Sequence, residues 1–197
     1  MATKLSIINR AYRYIGQSPV ELITPEDPTQ LLVRGAYEDN VEWCLRCHAW
    51  SHAQKWAKLA KLEEDPPFGF ANNYAVPPDC LYVIDIRQDE DLTLIGEEYA
   101  LVGNNLYTNA DPCLCRYITT LSNMAFWPSD FCDLISLRIA IELAPTLVPG
   151  DSNITDSLSK RFQLALEVAK RNDMAASNLP QIDQKNCCSF LQRRWNA

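Results

Sequence analysis

Residues 50–88, WSHAQKWAKLAKLEEDPPFGFANNYAVPPDCLYVIDIRQ, are where a helical chain changes character. They carry two double prolines, Pro66-Pro67 and Pro77-Pro78, and show no continuous helical face beyond Lys61. Residues 56–64, WAKLAKLEE, spell an amphipathic run too short to hold a membrane surface by itself. Residues 80–88 alternate and are rich in β-branched and aromatic side chains, the pattern of a strand. Downstream, YALVGNNLYT (99–108) offers a short hairpin around Gly103-Asn104, and CLCRYITTL (113–121) reads as another strand. Residues 51–124 are therefore expected to form a β-rich insert.

Helical periodicity flanks this insert on both sides. Leu5, Ile8, Tyr12 and Ile15 predict a first helix over 3–16, with Gly16 as its stop signal. Val33, Tyr37, Val41, Cys44, Leu45 and His48 predict a second over 29–48, capped by Asp27 or Thr29. After Pro128, Phe131, Leu134, Ile135, Ile139 and Leu143 mark a third, largely buried helix ending near Pro145–Pro149. Leu158, Phe162, Ala165, Leu166 and Ala169 mark a fourth, capped by Thr155 or Asp156. The expected fold is mainly α with a β-rich insert (α+β): a four-helix bundle from residues 1–50 and 125–178, a small antiparallel β subdomain at 51–124, and an extended C-terminal arm at 179–197. The arm has no evident period but ends in Phe190, Leu191, Arg193, Arg194 and Trp195, apolar and basic groups that need a partner surface.

The chain of 197 residues has a formal net charge of −7, which disfavours a phosphate-clamping nucleic-acid binder. No signal-peptide pattern and no membrane-length apolar run is visible, so a reducing cytoplasm is expected, with most of the eight cysteines reduced and buried. Cys44-Leu45-Arg46-Cys47-His48 fits the C-x-x-C-H pattern of haem attachment, and His52 follows. Yet Cys44 and His48 share the apolar stripe of a helix, and four ligands within nine helical residues cannot surround one zinc ion tetrahedrally. Cys113-Leu114-Cys115 is a C-x-C on a strand whose two thiols are expected to point to opposite faces, a poor second clamp. No P-loop, G-x-S-x-G or G-x-G-x-x-G occurs. The acidic runs Glu63-Glu64-Asp65, Asp89-Glu90-Asp91 and Glu97-Glu98 read as solvated surface rather than a catalytic pair, and Cys187-Cys188 as a bland exposed pair. No enzyme activity, catalytic residue, cofactor or metal is expected.

The order of elements is more informative. LSIINRAYRYIGQSPVELI (5–23), GAYEDNVEWCLRCHAWSHAQKWAKLA (35–60), PPFGFANNYAVPPDCLYVIDI (66–86) and YITTLSNMAFWPSDFCDLISLRIAIELAPTL (117–147) together resemble the successive segments of head-to-tail adaptor proteins of short-tailed bacteriophages, the tail tubular protein A type. The resemblance covers roughly residues 4 to 175. His48 and Trp50 fall on that family's H-x-W positions, whereas Cys44 and Cys47 fall on variable ones. The cysteine load and the tail after residue 178 depart from the family pattern.

The resemblance implies a non-enzymatic virion protein at the head–tail junction, assembled in the host bacterial cytoplasm. It implies a homo-oligomeric ring of about twelve copies, closed through heterologous contacts. Its partners would be the dodecameric portal protein above, a tail nozzle of the tail tubular protein B type below, and tail fibres. DNA would pass through the lumen without specific binding, past walls whose negative charge repels phosphate, and no membrane is involved. The C-terminal arm would reach the portal, with Phe190, Leu191 and Trp195 as apolar anchors and Arg193 and Arg194 pairing with portal acids. The alternative function, suggested for some relatives, is a tail-associated cell-wall (peptidoglycan) hydrolase.

Overall fold

A computed structural model describes residues 3–21, 28–88, 96–150 and 152–176. The arm residues Phe190, Leu191, Arg193, Arg194 and Trp195, the Cys187-Cys188 pair, the acidic run 89–91 and the cap candidate Asp27 lie outside the described residues. The chain forms α1 (Lys4–Tyr14), α2 (Pro28–Arg46), β1 (Gln54–Lys58), β2 (Asn72–Ala75), β3 (Cys80–Arg87), β4 (Tyr99–Val102), β5 (Asn105–Thr108), β6 (Leu114–Thr119), α3 (Ser129–Leu147) and α4 (Ser152–Ala176). No described helix is long and apolar enough to cross a membrane.

Local chemistry fixes the helix ends. At the start of α1 the Ser6 amide donates to Thr3 Oγ1 at 3.1 Å and the Thr3 amide donates to Ser6 Oγ at 2.9 Å, a reciprocal cap. At its end Gly16 adopts φ +72°, and the amides of Gly16 and Gln17 return to the carbonyls of Arg13 and Tyr12. That left-handed turn is the C-terminal closure glycine favours. Pro28 opens α2 at the first helical position, where a missing N–H costs nothing. The fourth helix starts at Ser152, a turn before the expected caps Thr155 and Asp156.

The helices do not form a bundle of four equivalent members. Helix α3 is central, and each of α1, α2 and α4 packs against it. Phe131, Leu134, Ile135, Leu137, Ile139, Ala140 and Leu143 of α3 are all buried, as expected of a helix that is apolar nearly all round. Ser136 sits wholly inside, donating to the Ile7 carbonyl of α1 at 3.0 Å. The outer helices also meet one another: Lys4 lies over the Tyr37 ring, Trp43 packs on Phe162, and Arg161 lies over Tyr14.

The expected mainly α fold with one small β subdomain is corrected by the strands. The fold is mixed α+β, with four helices and two three-stranded antiparallel sheets, ordered β1-β6-β3 and β2-β5-β4. The first sheet packs Leu81 and Ile118 into the helical core. The two sheets enclose a second core of Leu59, Tyr74, Val83, Ile86, Leu106, Ala110, Cys113, Cys115 and Tyr117. They are also stitched at both margins. Beyond β1, Leu62 donates to Asn73 at 2.8 Å and Ala75 to Ala60 at 3.1 Å; before β4, Glu97 donates to Ile86 at 2.9 Å. Gly96 permits the second seam, since a Cβ there would lie 3.2 Å from the Ile86 carbonyl oxygen.

Two strands account for the difference. Trp56, Leu59 and Leu62 have helix-like spacing, but Gln54–Lys58 is pinned along β6 from Gln54↔Ile118 to Lys58↔Leu114. The start of the segment that reads as amphipathic, Trp56–Lys58, is thus strand, and no helix follows over 59–64, because tertiary pairing overrides a short local period. Asn72–Ala75 carries almost no apolar alternation, yet it is buried because Asn72 donates to the carbonyl of Ala110 at 3.2 Å and Asn73 to that of Glu64 at 3.3 Å. The expected hairpin at Gly103-Asn104 is present, joining β4 to β5.

Candidate functional site

The C-x-x-C-H segment straddles the end of α2, which stops at Arg46, so His48 lies in the bend that follows rather than on the helical stripe. Cys44 is 1 % exposed in the helical core, and burial pushes its thiol far above the ordinary range. The Cys47 thiol donates to the Trp43 carbonyl at 3.3 Å and is likewise raised by burial. Both environments disfavour the thiolate that metals bind. Among the described residues, no three His, Cys, Asp or Glu side chains gather as a metal-holding group. The expectation that Cys113 and Cys115 face opposite ways is corrected: residues two apart along an extended chain share a face, and both line the second core.

His48 instead meets Asp173, near the end of α4, with Nε2 3.1 Å from Oδ2. Ser51 completes the arrangement, its amide donating to Asp173 at 3.0 Å and its hydroxyl at 2.6 Å. Burial disfavours the Asp173 carboxylate, but the hydrogen bonds from His48 and Ser51 outweigh it and hold its pKa below the usual range. Between these groups Trp50 is 1 % exposed, with Nε1 donating to the Cys44 carbonyl at 2.7 Å and its ring edge-on to His48 and Phe131. The serine hydroxyl points to the carboxylate, not to the imidazole, so this is no nucleophile–base relay. Chemically it is a clasp that ties the end of α4 to the chain leaving α2.

His52 sits beside the clasp, its ring centroid 4.6 Å from that of Phe131, with both ring nitrogens buried and unpartnered. Burial lowers its pKa from 6.5 to about 4, although Asp173 and Asp130 pull the other way and His48 adds to the lowering. A histidine depressed in the folded state stabilises the fold fully above its unfolded pKa, and that stability drains as pH falls from 6.5 through about 4. Thermal melting should therefore show the wild type losing stability between pH 7 and pH 4.5. His52→Phe, which keeps the ring contact with Phe131, should flatten that slope. An unchanged slope would show that other groups carry the acid sensitivity.

The surface offers a second kind of candidate. On the outer flank of α4, Leu164 is 72 % and Val168 51 % exposed, one turn apart, between Lys160, Arg161 and Arg171. At the far end of the β part, Phe68 is 48 % exposed and rests on Tyr107, with ring centroids 5.4 Å apart. Exposed Glu63, Glu64 and Asp65 precede Phe68 in the chain, and exposed Glu97 and Glu98 lead into β4. Asp173, by contrast, escaped the sequence reading altogether. The available signal was its place four residues after Ala169, a carboxylate continuing the inward stripe of α4.

The chain matches no protein-family model and no curated protein.

Proposed function

We propose that the chain is a non-enzymatic ring subunit of the head-to-tail connector of a short-tailed phage. It would sit between the portal protein and the tail nozzle and leave a lumen for DNA. The observation that carries this reading is the order of elements, α1–α2, a β insert, then α3–α4, beside the adaptor-like H-x-W frame. In that frame His48 and Trp50 are the residues that join α2, α4 and the start of the insert, which gives the frame a physical reason. The net charge of −7 suits a wall past which DNA slides. Ordering the arm on the portal costs about 1–2 kcal/mol per residue of backbone entropy, so Phe190, Leu191 and Trp195 would have to bury apolar area there.

Native mass spectrometry of the chain with the portal protein of the same phage tests this. The expected result is addition of cofactor-free subunits in a multiple near twelve, lost on deletion of residues 181–197. Failure to add to the portal, or peptidoglycan cleavage by the purified chain, would overturn the reading.

A further inference from the structure

We propose that the Leu164–Val168 flank of α4 docks the acid-rimmed Phe68 end of a second copy of the same chain, giving a head-to-tail contact. The inference rests on the ring-subunit reading and names the surfaces that would build the ring. Leu164 and Val168 are exposed apolar side chains at consecutive turns of α4. Arg161 lies over Tyr14 of α1 and Asn172 donates to Asp130 at 3.1 Å, which places this flank beside α1 and the start of α3. The α2 side of the helix is occupied by the Trp43–Phe162 contact and the His48–Asp173 pair. A helix that buries one stripe and repeats aliphatic residues on another has two faces to cover.

Charge complementarity selects the occupant. Lys160 and Arg171 bracket the apolar pair and make no ion pair among the described residues, Arg161 is engaged with Tyr14, and the three together outweigh the exposed Glu167 between Leu164 and Val168, so the flank is net positive. The five carboxylates of Glu63, Glu64, Asp65, Glu97 and Glu98 make no ion pair among the described residues; the first three precede the exposed Phe68 in the chain, and the Glu98 carbonyl accepts from Thr108, whose register partner Asn72 lies four residues beyond Phe68. By contrast, two of the three acids exposed on α2 are already matched, Glu38 by Lys4 and Arg34 and Glu42 by Arg46, which leaves Asp39 as a single charge rather than a cluster. The two patches are unlike, and they lie on the helical and the β part of the molecule. Their union is therefore heterologous and propagates until it closes. Opposed charge fixes the register, and the ring against the aliphatic pair supplies the desolvated centre.

The test uses two full-length variants, Leu164→Glu and Phe68→Glu, both at exposed positions that leave the cores intact. In sedimentation velocity across a concentration series at low salt, the wild type should self-associate, and each variant should do so roughly tenfold or more weakly. Mixed together, each variant retains the patch the other has lost. Native mass spectrometry of an isotope-labelled mixture should show a discrete one-to-one pair that grows no further. A wild type that stays monomeric up to its solubility limit, variants that associate as it does, or a mixture without the pair would each overturn the proposal. Portal addition is read separately. Subunits that add to the portal despite Leu164→Glu would defeat this contact and spare the adaptor reading; self-association without portal addition would do the reverse.

Discussion

Replacing Trp50 with alanine should lower the unfolding free energy by about 3–5 kcal/mol, the range for emptying a buried aromatic site. The indole is 1 % exposed and wedged between His48 and Phe131, with ring centroids at 4.9 and 5.0 Å. Little around it can close the gap, because Phe131 is also held edge-on by Trp127. Trp50→Phe separates the contributions. It keeps most of the ring but loses the 2.7 Å hydrogen bond to the Cys44 carbonyl, so it should cost the cavity fraction plus about 1 kcal/mol. Urea denaturation with unchanged m-value would measure both. A loss below about 1 kcal/mol for the alanine variant would mean that His48 and Ser51 hold the junction without it.

The second large effect concerns a buried charge cluster in the first sheet. Arg116 forms a two-pronged ion pair with Asp85, Nε to Oδ1 at 2.9 Å and Nη2 to Oδ2 at 3.1 Å. Arg87 also donates to Oδ2 at 3.1 Å. All three side chains are at most 8 % exposed. Asp85→Asn removes the anion and strands the Arg116 cation inside, an arrangement that costs about 3–5 kcal/mol. The Trp56 face, 5.3 Å from the Arg116 guanidinium, offsets only part of that. Because the cluster is buried, the loss should be the same at low and high salt, unlike that of a surface pair. Chemical denaturation at two ionic strengths decides the matter, and a loss that vanished in salt would show that water already reaches Asp85.

Much of this fold was legible because its signals are local. Gly16 and Pro128 punctuate helices in ways their own chemistry dictates, and the apolar density of Phe131–Leu143 announces a helix enclosed on all sides. Gly103-Asn104 likewise marks a hairpin without help from the rest of the chain. What escaped is long-range. Nothing within Asn72–Ala75 says that amides will be buried beneath β5, and nothing in Gln54–Lys58 outweighs its helical spacing until β6 lies alongside. The His48–Asp173 pair joins residues 125 positions apart, so only a carboxylate on an inward stripe hinted at it. The C-x-x-C-H reading went the other way. Its letters satisfied a pattern, but its side chains serve packing and the clasp.

The clasp has a mechanical consequence. Asp173 lies three residues before the last residue of α4, so tension along that helix loads its hydrogen bonds to Ser51 and His48. From Ser51 the strain passes within three residues into β1, and through Trp50 into Phe131 of the central helix. A tug at the end of α4 is thereby shared between both cores at once, rather than peeling one helix away turn by turn.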